Sequence, residues 1–439
     1  MSDNNKNEQK VTDTLVVALT SPEERRRGLS LLFVTLLSLG MGQSLFFAIF
    51  PPVARDLGLS EIQVSAIFTL SAVLWVVLSP VWGRLSDHWG RKPVILIGLA
   101  GFGVSTGGFG VLLLLGQDGV LPLMTLYVLM IIVRAIFGLF GSGTPSAAQA
   151  YVADRTTRQE RTSGVAAIGA AFGMGTVVGP GFAAALAGIH LLLPFFALSA
   201  FALVGALAIY LFLPERRQPR LKRDKKTELK LMDPRLRPFL FMGIVVSLSQ
   251  AAVMQVAAFF VMDTMHISSG ETAQIVGIGM MSMAMATLFA QLVLIPKMDL
   301  SVRTLLLSGI WVNIVGIGIL LIPLSTSSFV IAMTLQGLGM GLMRPGVAAG
   351  ASLAVEAHEQ GGAAGFISST AAVGIIFVPL IAMPVYLILH TGPFWIAFFL
   401  SFGMLWILYK SDIVSLADPV DIDDVEEQTM SDPSRHSKY

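Results

Sequence analysis

Apolar residues along this chain run on instead of alternating with polar ones. Twelve stretches each carry about the 20 mostly apolar residues that a helix needs to cross the hydrocarbon core of a bilayer. They fall at 29–52, 63–82, 93–115, 121–150, 163–188, 191–213, 238–262, 274–296, 303–324, 328–352, 362–388 and 391–410. Continuous runs of this length predict helices and disfavour a membrane β-barrel, whose strands alternate. The segment 169–181, rich in glycine and ending near Pro180, would make a poor helix in water. Lipid favours small residues there because they let helices approach closely. The pattern predicts an all-α integral membrane protein with 12 transmembrane helices in two pseudo-symmetric six-helix bundles. A tail at 1–28 precedes a bundle at 29–213. A linker at 214–237 leads to the second bundle at 238–410, and a tail follows at 411–439.

Composition agrees. Of 439 residues, 54% are hydrophobic and 13% charged, about half the charge of a soluble domain. Mean hydropathy is +0.75. The absence of cysteine removes disulfides, thiolate nucleophiles and iron–sulfur clusters. A net charge of +1 argues against a nucleic-acid partner. The polar start, Met1 to Val11, is unlike a cleaved signal peptide.

Sorting the charges tells more than summing them. Of 29 Lys and Arg, 26 fall on one side of the predicted spans, the side of both chain ends. Arg55 stands alone on the other, and Arg134 and Arg344 lie inside spans. Basic loops stay cytoplasmic, so both termini are expected in the cytoplasm. The linker Glu215–Arg237 holds ten basic and four acidic residues. It reads as a solvated connection, or as a segment that touches anionic lipid headgroups. The tail after Ser411 holds eight acidic residues and is expected to be disordered.

The two halves echo each other. Asp87 and Arg91 follow span two as Asp299 and Arg303 follow span eight. Gly141 and Pro145 match Gly341 and Pro345 at an offset of 200, and Pro180 matches Pro379 at 199. Parallel six-helix repeats are a transporter architecture with the substrate site between them.

Between spans two and three stands Gly83-Arg84-Leu85-Ser86-Asp87-His88-Trp89-Gly90-Arg91-Lys92. It resembles the cytoplasmic-loop motif of the major facilitator superfamily at every main position. Its glycines would permit a tight reversal and its cations would hold it at the cytoplasmic face. Asp87 would suit a helix amino terminus, where negative charge is favoured by about 0.3–1 kcal/mol. The resemblance implies that this helix is span eleven, that the contact latches the cytoplasmic side, and that Asp154 at the end of span four belongs to the same gating set.

Two more segments resemble the proton-coupled drug exporters of that superfamily. Arg134-Ala135-Ile136-Phe137-Gly138 resembles an Arg-x-x-x-Gly element of span four. Gly175-Thr176-Val177-Val178-Gly179-Pro180 resembles the centre of the antiporter motif in span five. The family's upstream glycine falls here at Ala166, and its closing pair at Ala183 and Ala184. Gly40, Gly42 and Pro51-Pro52 resemble that group's first helix. The implied protein is a 12-helix exporter of the drug:proton antiporter or tetracycline-efflux type, monomeric, with a small-molecule substrate and the proton as coupling ion. The family places spans one, four, seven and ten around its cavity.

An arginine at mid-span costs about 2.5–3.5 kcal/mol on insertion scales, so it should face protein or a water-filled cavity. Arg134 and Arg344 are therefore candidate substrate contacts. Arg134 also reads as a structural arginine satisfied by span-one or span-five backbone and glutamine. Gln43, Gln250, Gln255 and Gln336 are further candidates in cavity spans, or interhelical bonds. All 28 acids fall in tails, loops or helix ends. No mid-span carboxylate stands ready to carry a proton, and the nearest are Asp87, Asp154 and Glu356. A cavity with two arginines and no acid would also suit an organic anion, such as a carboxylate metabolite or siderophore. Met280–Met285 reads as an adaptable surface or as lipid-facing filler. Gly173-x-Gly175 and Gly337-x-Gly339 lie within spans and lack the Gly-Lys-Ser/Thr of a phosphate loop. No cofactor, metal cluster or catalytic triad is expected.

Overall fold

Serines start many of the helices. Ser60, Ser268, Ser301 and Ser325 each accept from a backbone N–H in the first turn, and Gln63, Glu271 and Ser328 return the bond to three of them. The computed structural model describes residues 22–155, 158–215, 233–298, 300–323, 325–356 and 359–410. Most of the amino-terminal tail, the linker from 216 to 232, Asp299 and the acidic tail lie outside the described residues.

The order is α1 Pro22–Asp56, α2 Glu61–Trp89, α3 Arg91–Gln117, then α4, made of Leu123–Ile136, a π turn at Phe137–Gly141, and Gly143–Arg155. Next come α5 Arg158–Ala187 and α6 Leu193–Phe212. The second half opens with α7 Arg237–Met265, followed by α8, made of Ser269–Phe289, a π turn at Ala290–Leu294, and Ile295–Met298. It ends with α9 Val302–Leu320, α10 Thr326–Leu353, α11 Gln360–Ile388 and α12 Gly392–Lys410. Eleven of these are long and apolar enough to cross a membrane among the described residues; the exception, α11, has a shorter apolar stretch at Ile376–Ile388.

Both π turns sit just before a proline, Pro145 and Pro296. A proline removes the N–H that would bond four residues back and crowds that carbonyl. Widening the helix by one residue relieves the crowding. Within the π turn of α4 the Leu139 carbonyl accepts a 2.6 Å bond from the Trp82 indole of α2 and a longer one, 3.4 Å, from the Ser142 hydroxyl. The echo between Pro145 and Pro345 stops at sequence, since α10 runs through Pro345 without a π turn.

In the first half α1 packs on α5 and α6, and α3 on α4 and α6. Its core holds Phe46, Phe50, Phe102, Phe109 and Phe195. In the second half α7 packs on α11 and α12, and α9 and α8 on α10. The halves meet through α1, α2 and α5 on one side and α7, α8 and α11 on the other. The outer surface is apolar: Val77, Val204, Leu292, Leu380 and Phe399 are each at least 60% exposed. In water such a belt would drive association; in a bilayer it meets its own solvent. Tyr210 beneath Lys92 and Trp406 beneath Lys410 mark one edge of the belt. That edge, called here the basic face, carries the start of α1 and the end of α12.

Candidate functional site

The antiporter-like segment packs two ways. Gly175 and Gly179 face α1 so closely that a Cβ at the first would overlap the Leu37 carbonyl, and at the second Ser44 Oγ and the Met41 carbonyl. Gly40 of α1 is fitted reciprocally against the Phe172 carbonyl. One turn on, α5 presents a different face to α8 of the other half. There Gly277 would place a Cβ 3.0 Å from the Pro180 carbonyl and 2.8 Å from Ala184 Cβ, and Gly181 receives Met281. The small residues Pro180, Gly181 and Ala184 thus let the halves touch on the side away from the basic face.

The same side holds a polar cluster. Arg55, at the end of α1, pairs with Glu61 of α2 and with Asp263 of α7, and its second bond to Asp263 spans 3.1 Å. Phe259 lies 4.9 Å beneath the guanidinium. Asp263 also accepts from the Tyr386 hydroxyl of α11, and His390 lies 4.0 Å away. Beside it, Ser269 of α8 donates to Asp56 and, at 3.4 Å, to the Pro52 carbonyl. These bonds join α1 to α7 and α8 across the two halves. Sequence reasoning missed Glu61, Asp263 and Tyr386 here. The one available signal was Arg55, the sole cation on that side, which needed a counter-charge.

On the basic face, Gly83 through Trp89 continue α2 as helix, and the reversal takes place at Gly90 alone, with φ +103°. The expectation that Gly83 also serves the turn is corrected: a Cβ there would meet nothing. Arg91 donates to Asp87 at 2.6 Å, Ser86 at 2.5 Å and Asp154 at 2.9 Å, binding the ends of α2, α3 and α4 within one half. In this conformation the described ion-pair partner of Asp87 is Arg91. The carboxylate found at a helix start is Glu215, which accepts from the Lys92 N–H at the head of α3.

The two embedded arginines have different surroundings. Arg134 is 4% exposed, its guanidinium 3.9 Å from the Phe46 ring and 4.3 Å from Phe137. Nε and Nη1 have no hydrogen-bond partner among the described residues. It is held by aromatic faces inside the first half, where glutamine and backbone were the expected partners. Arg344 is exposed and donates to Gln250 of α7 at 2.6 Å. It lines a cavity of about 190 Å³ with Gly243, Ser247, Val347 and Thr370, in the part of α7, α10 and α11 nearer the basic face.

The remaining amides divide. Gln336 turns to α9 and donates to the Asn313 carbonyl at 3.4 Å, so it does not join Arg344 and Gln250. Gln255 is 2% exposed, and neither amide atom has a partner among the described residues. Gln43 is part-buried on α1. The methionine stretch is not lipid-facing throughout: Met280 and Met283 are buried, Met281 packs on Gly181, and Met285 is exposed. The reason is helical spacing, which spreads six consecutive residues around every face. No group of three His, Cys, Asp or Glu able to hold a metal occurs among the described residues.

Comparison with known proteins follows the same lines. Residues 32–298 match the family described as the Major Facilitator Superfamily. Multidrug resistance protein 1 of Bacillus subtilis (strain 168) is 27% identical over 391 residues, 85% of this chain and 94% of that protein. Tetracycline resistance protein, class B, of Escherichia coli is 24% identical over 86% of this chain and 90% of its own. Among solved structures, the nucleoside transporter NupG superposes with a TM-score of 0.68 at 12% identity, covering 90% of this chain and 99% of that one. An inward-facing bacterial homologue of the human lysosomal transporter Spinster gives 0.63 at 14%, covering 92% and 99%. At those identities the structural likeness speaks to fold.

Proposed function

Because this chain belongs to the Major Facilitator Superfamily, a family of transporters and not of enzymes, we propose that it exports small organic molecules by alternating access, coupled to proton entry. The carrying observation is an asymmetry. The α5–α8 contact and the Arg55–Asp263 and Ser269–Asp56 bonds join the halves on the face away from the basic one. The Arg344 cavity lies toward the basic face. With that face cytoplasmic, as the charge sorting implies, the conformation is one that would take substrate from inside.

In this reading each six-helix half moves as a unit, and Arg344, Gln250, Gln255 and Gln43 contact substrate. Gln255 is the sharpest candidate, because a buried amide with unmet bonds is costly unless something visits it. Gln336 is better understood as a bond between α9 and α10. Asp87, Arg91 and Asp154 form the cytoplasmic gating set, with the reversal at Gly90 setting Arg91 beside the other two. Gly175, Gly179 and Pro180 fix α5 between α1 and α8. The names of the relatives, multidrug and tetracycline resistance proteins, support drug export over export of an organic anion. The chain is taken to work as a monomer in the cytoplasmic membrane.

The test is uptake into inverted membrane vesicles across a panel of cationic dyes, tetracycline and organic anions, with and without an imposed pH gradient. Uptake of dyes or tetracycline that needs the gradient is the expected result. Uptake that ignores the gradient would remove the coupling, and uptake confined to anions would reverse the substrate class.

A further inference from the structure

The groove between the start of α1 and the end of α6 is charged at its mouth and apolar along its floor. A cavity of about 490 Å³ opens there on the outside of the first half, at the basic face. That is within the range of small-molecule sites, about 300–1,000 Å³. Glu23, Arg26, Arg27 and Ser30 line the mouth, and Leu31, Val34, Gly205 and Ala208 the floor. We propose that this groove holds one anionic phospholipid of the leaflet on the basic face. Its phosphate sits at Arg26 and Arg27, and one acyl chain lies along the floor between α1 and α6. The site requires only that the chain spans a bilayer, and stands whatever the chain carries or couples to.

Depth decides what can fill the floor. Arg27 lies 4.4 Å over the ring of Phe212, two residues beyond the Tyr210 that Lys92 covers at the edge of the apolar belt. The mouth therefore stands at the level of lipid phosphates. Val34 follows Arg27 by seven residues, about 10 Å deeper along the helix, and Gly205 precedes Phe212 by the same number. Val34 is 45% exposed, and Val204, Leu207 and Leu211 beside the floor on α6 are exposed as well. At that depth no water is at hand to occupy an open groove, so hydrocarbon does. The small residues Gly205 and Ala208 leave the room for it. A chain lying there brings its own headgroup to the two arginines.

Charge decides which headgroup. Neither Arg26 nor Arg27 has an ion-pair partner among the described residues, and Arg27 meets the Phe212 ring instead. Two arginines and Glu23 give the lining a net charge of +1. A phosphodiester with an uncharged headgroup, as in phosphatidylglycerol, cancels that charge. Phosphatidylethanolamine, neutral overall, leaves it standing. Guanidinium groups suit phosphate oxygens, which they bind through charge-assisted and often paired hydrogen bonds. Glu23 can accept from the glycerol hydroxyls, and Ser30 can donate or accept. The groove shares no residue with the Arg344 cavity and belongs to the first half alone.

Native mass spectrometry of the full chain in detergent reads the site directly. The chain is titrated with phosphatidylglycerol or phosphatidylethanolamine of identical acyl chains, and the first lipid adduct is followed. Phosphatidylglycerol is expected to saturate this adduct about fivefold more tightly than phosphatidylethanolamine. Arg26→Gln/Arg27→Gln should weaken it about tenfold. Lys297→Gln/Arg303→Gln, the same charge change on the basic face of the second half, should alter it by less than about twofold. Ala208→Phe and Val34→Phe fill the floor and leave every charge in place; each should weaken the adduct about fivefold. Equal affinity for the two lipids would overturn the anionic assignment. An equal loss in the Lys297/Arg303 variant would reduce the site to the general attraction of a basic surface, and normal binding by both floor variants would remove the acyl groove. The competing occupant is the chain's own amino-terminal segment, which carries Asp3, Glu8 and Asp13. Binding that tightens about tenfold in Asp3→Asn/Glu8→Gln/Asp13→Asn would give the groove to that segment and overturn the lipid.

Discussion

Arg134 lies between two rings, 3.9 Å from Phe46 and 4.3 Å from Phe137. A planar guanidinium can present both its faces to aromatic neighbours, whereas an ammonium is a compact point charge on a flexible stem. Arg134→Lys should therefore destabilise the first half by about 1–2 kcal/mol, read as a lowered melting temperature of the purified protein; an unchanged melting temperature would mean that the rings contribute nothing. Gly90 is a second residue with one role. Its φ of +103° suits glycine, and a Cβ would also collide with the Glu215 carboxylate. Gly83, seven residues earlier, has no such constraint, so Gly83→Ala should leave stability within about 0.5 kcal/mol of the parent. A loss well beyond that would give Gly83 a role its open surroundings do not reveal.

At the scale of elements, α4 and α5 carry the local chemistry. At the π turn in α4 the Leu139 carbonyl accepts from Trp82 of α2, so Trp82→Phe should cost about 1 kcal/mol through the lost hydrogen bond. A stability change no larger than that of an exposed aromatic such as Trp406→Phe would show that water or another donor takes over. In α5 the glycine spacing sets one close face toward α1, and its next turn meets α8. Gly175→Val would drive a side chain into the Leu37 carbonyl. The expected outcome is a loss of about 1–3 kcal/mol or failure to insert, measured as the yield of monodisperse protein in detergent. Normal yield and stability would mean that α1 and α5 can separate without harm.

For the whole molecule, the halves meet through small residues of α5 and α8, a few polar bonds, and an apolar cluster to which both contribute, Phe47 and Phe50 on one side and Val256 and Phe260 on the other. Gly277→Leu enlarges a residue at the α5–α8 contact without touching the inner packing of α5 on α1. It should leave the protein folded yet unable to close the face away from the basic one. Export is expected to fall more than tenfold, read as tetracycline or dye uptake into inverted vesicles. Full export would mean that closure there is not part of the cycle. On the basic face, Asp87→Asn should abolish export while the chain still inserts, and full activity would remove its gating role.

The sequence by itself determined the helical class, the approximate span positions, the segregation of basic residues and the family resemblance. Each of these depends on properties local to the chain: the length of an apolar run, the identity of a loop charge, the spacing of a motif. Which partner meets a side chain is decided by residues hundreds of positions away, and local pattern carries little information about that. Arg134 was legible as a buried arginine, but the rings that hold it were not. Arg55 was legible as the only cation on its side, whereas Asp263 and Tyr386 became its companions only once α7 and α11 were folded against α1. The same holds for Gln336 and Gln250, alike in sequence context. One turns to α9 and the other to Arg344, because helix rotation within a bundle is set by packing against neighbours and not by the residue itself.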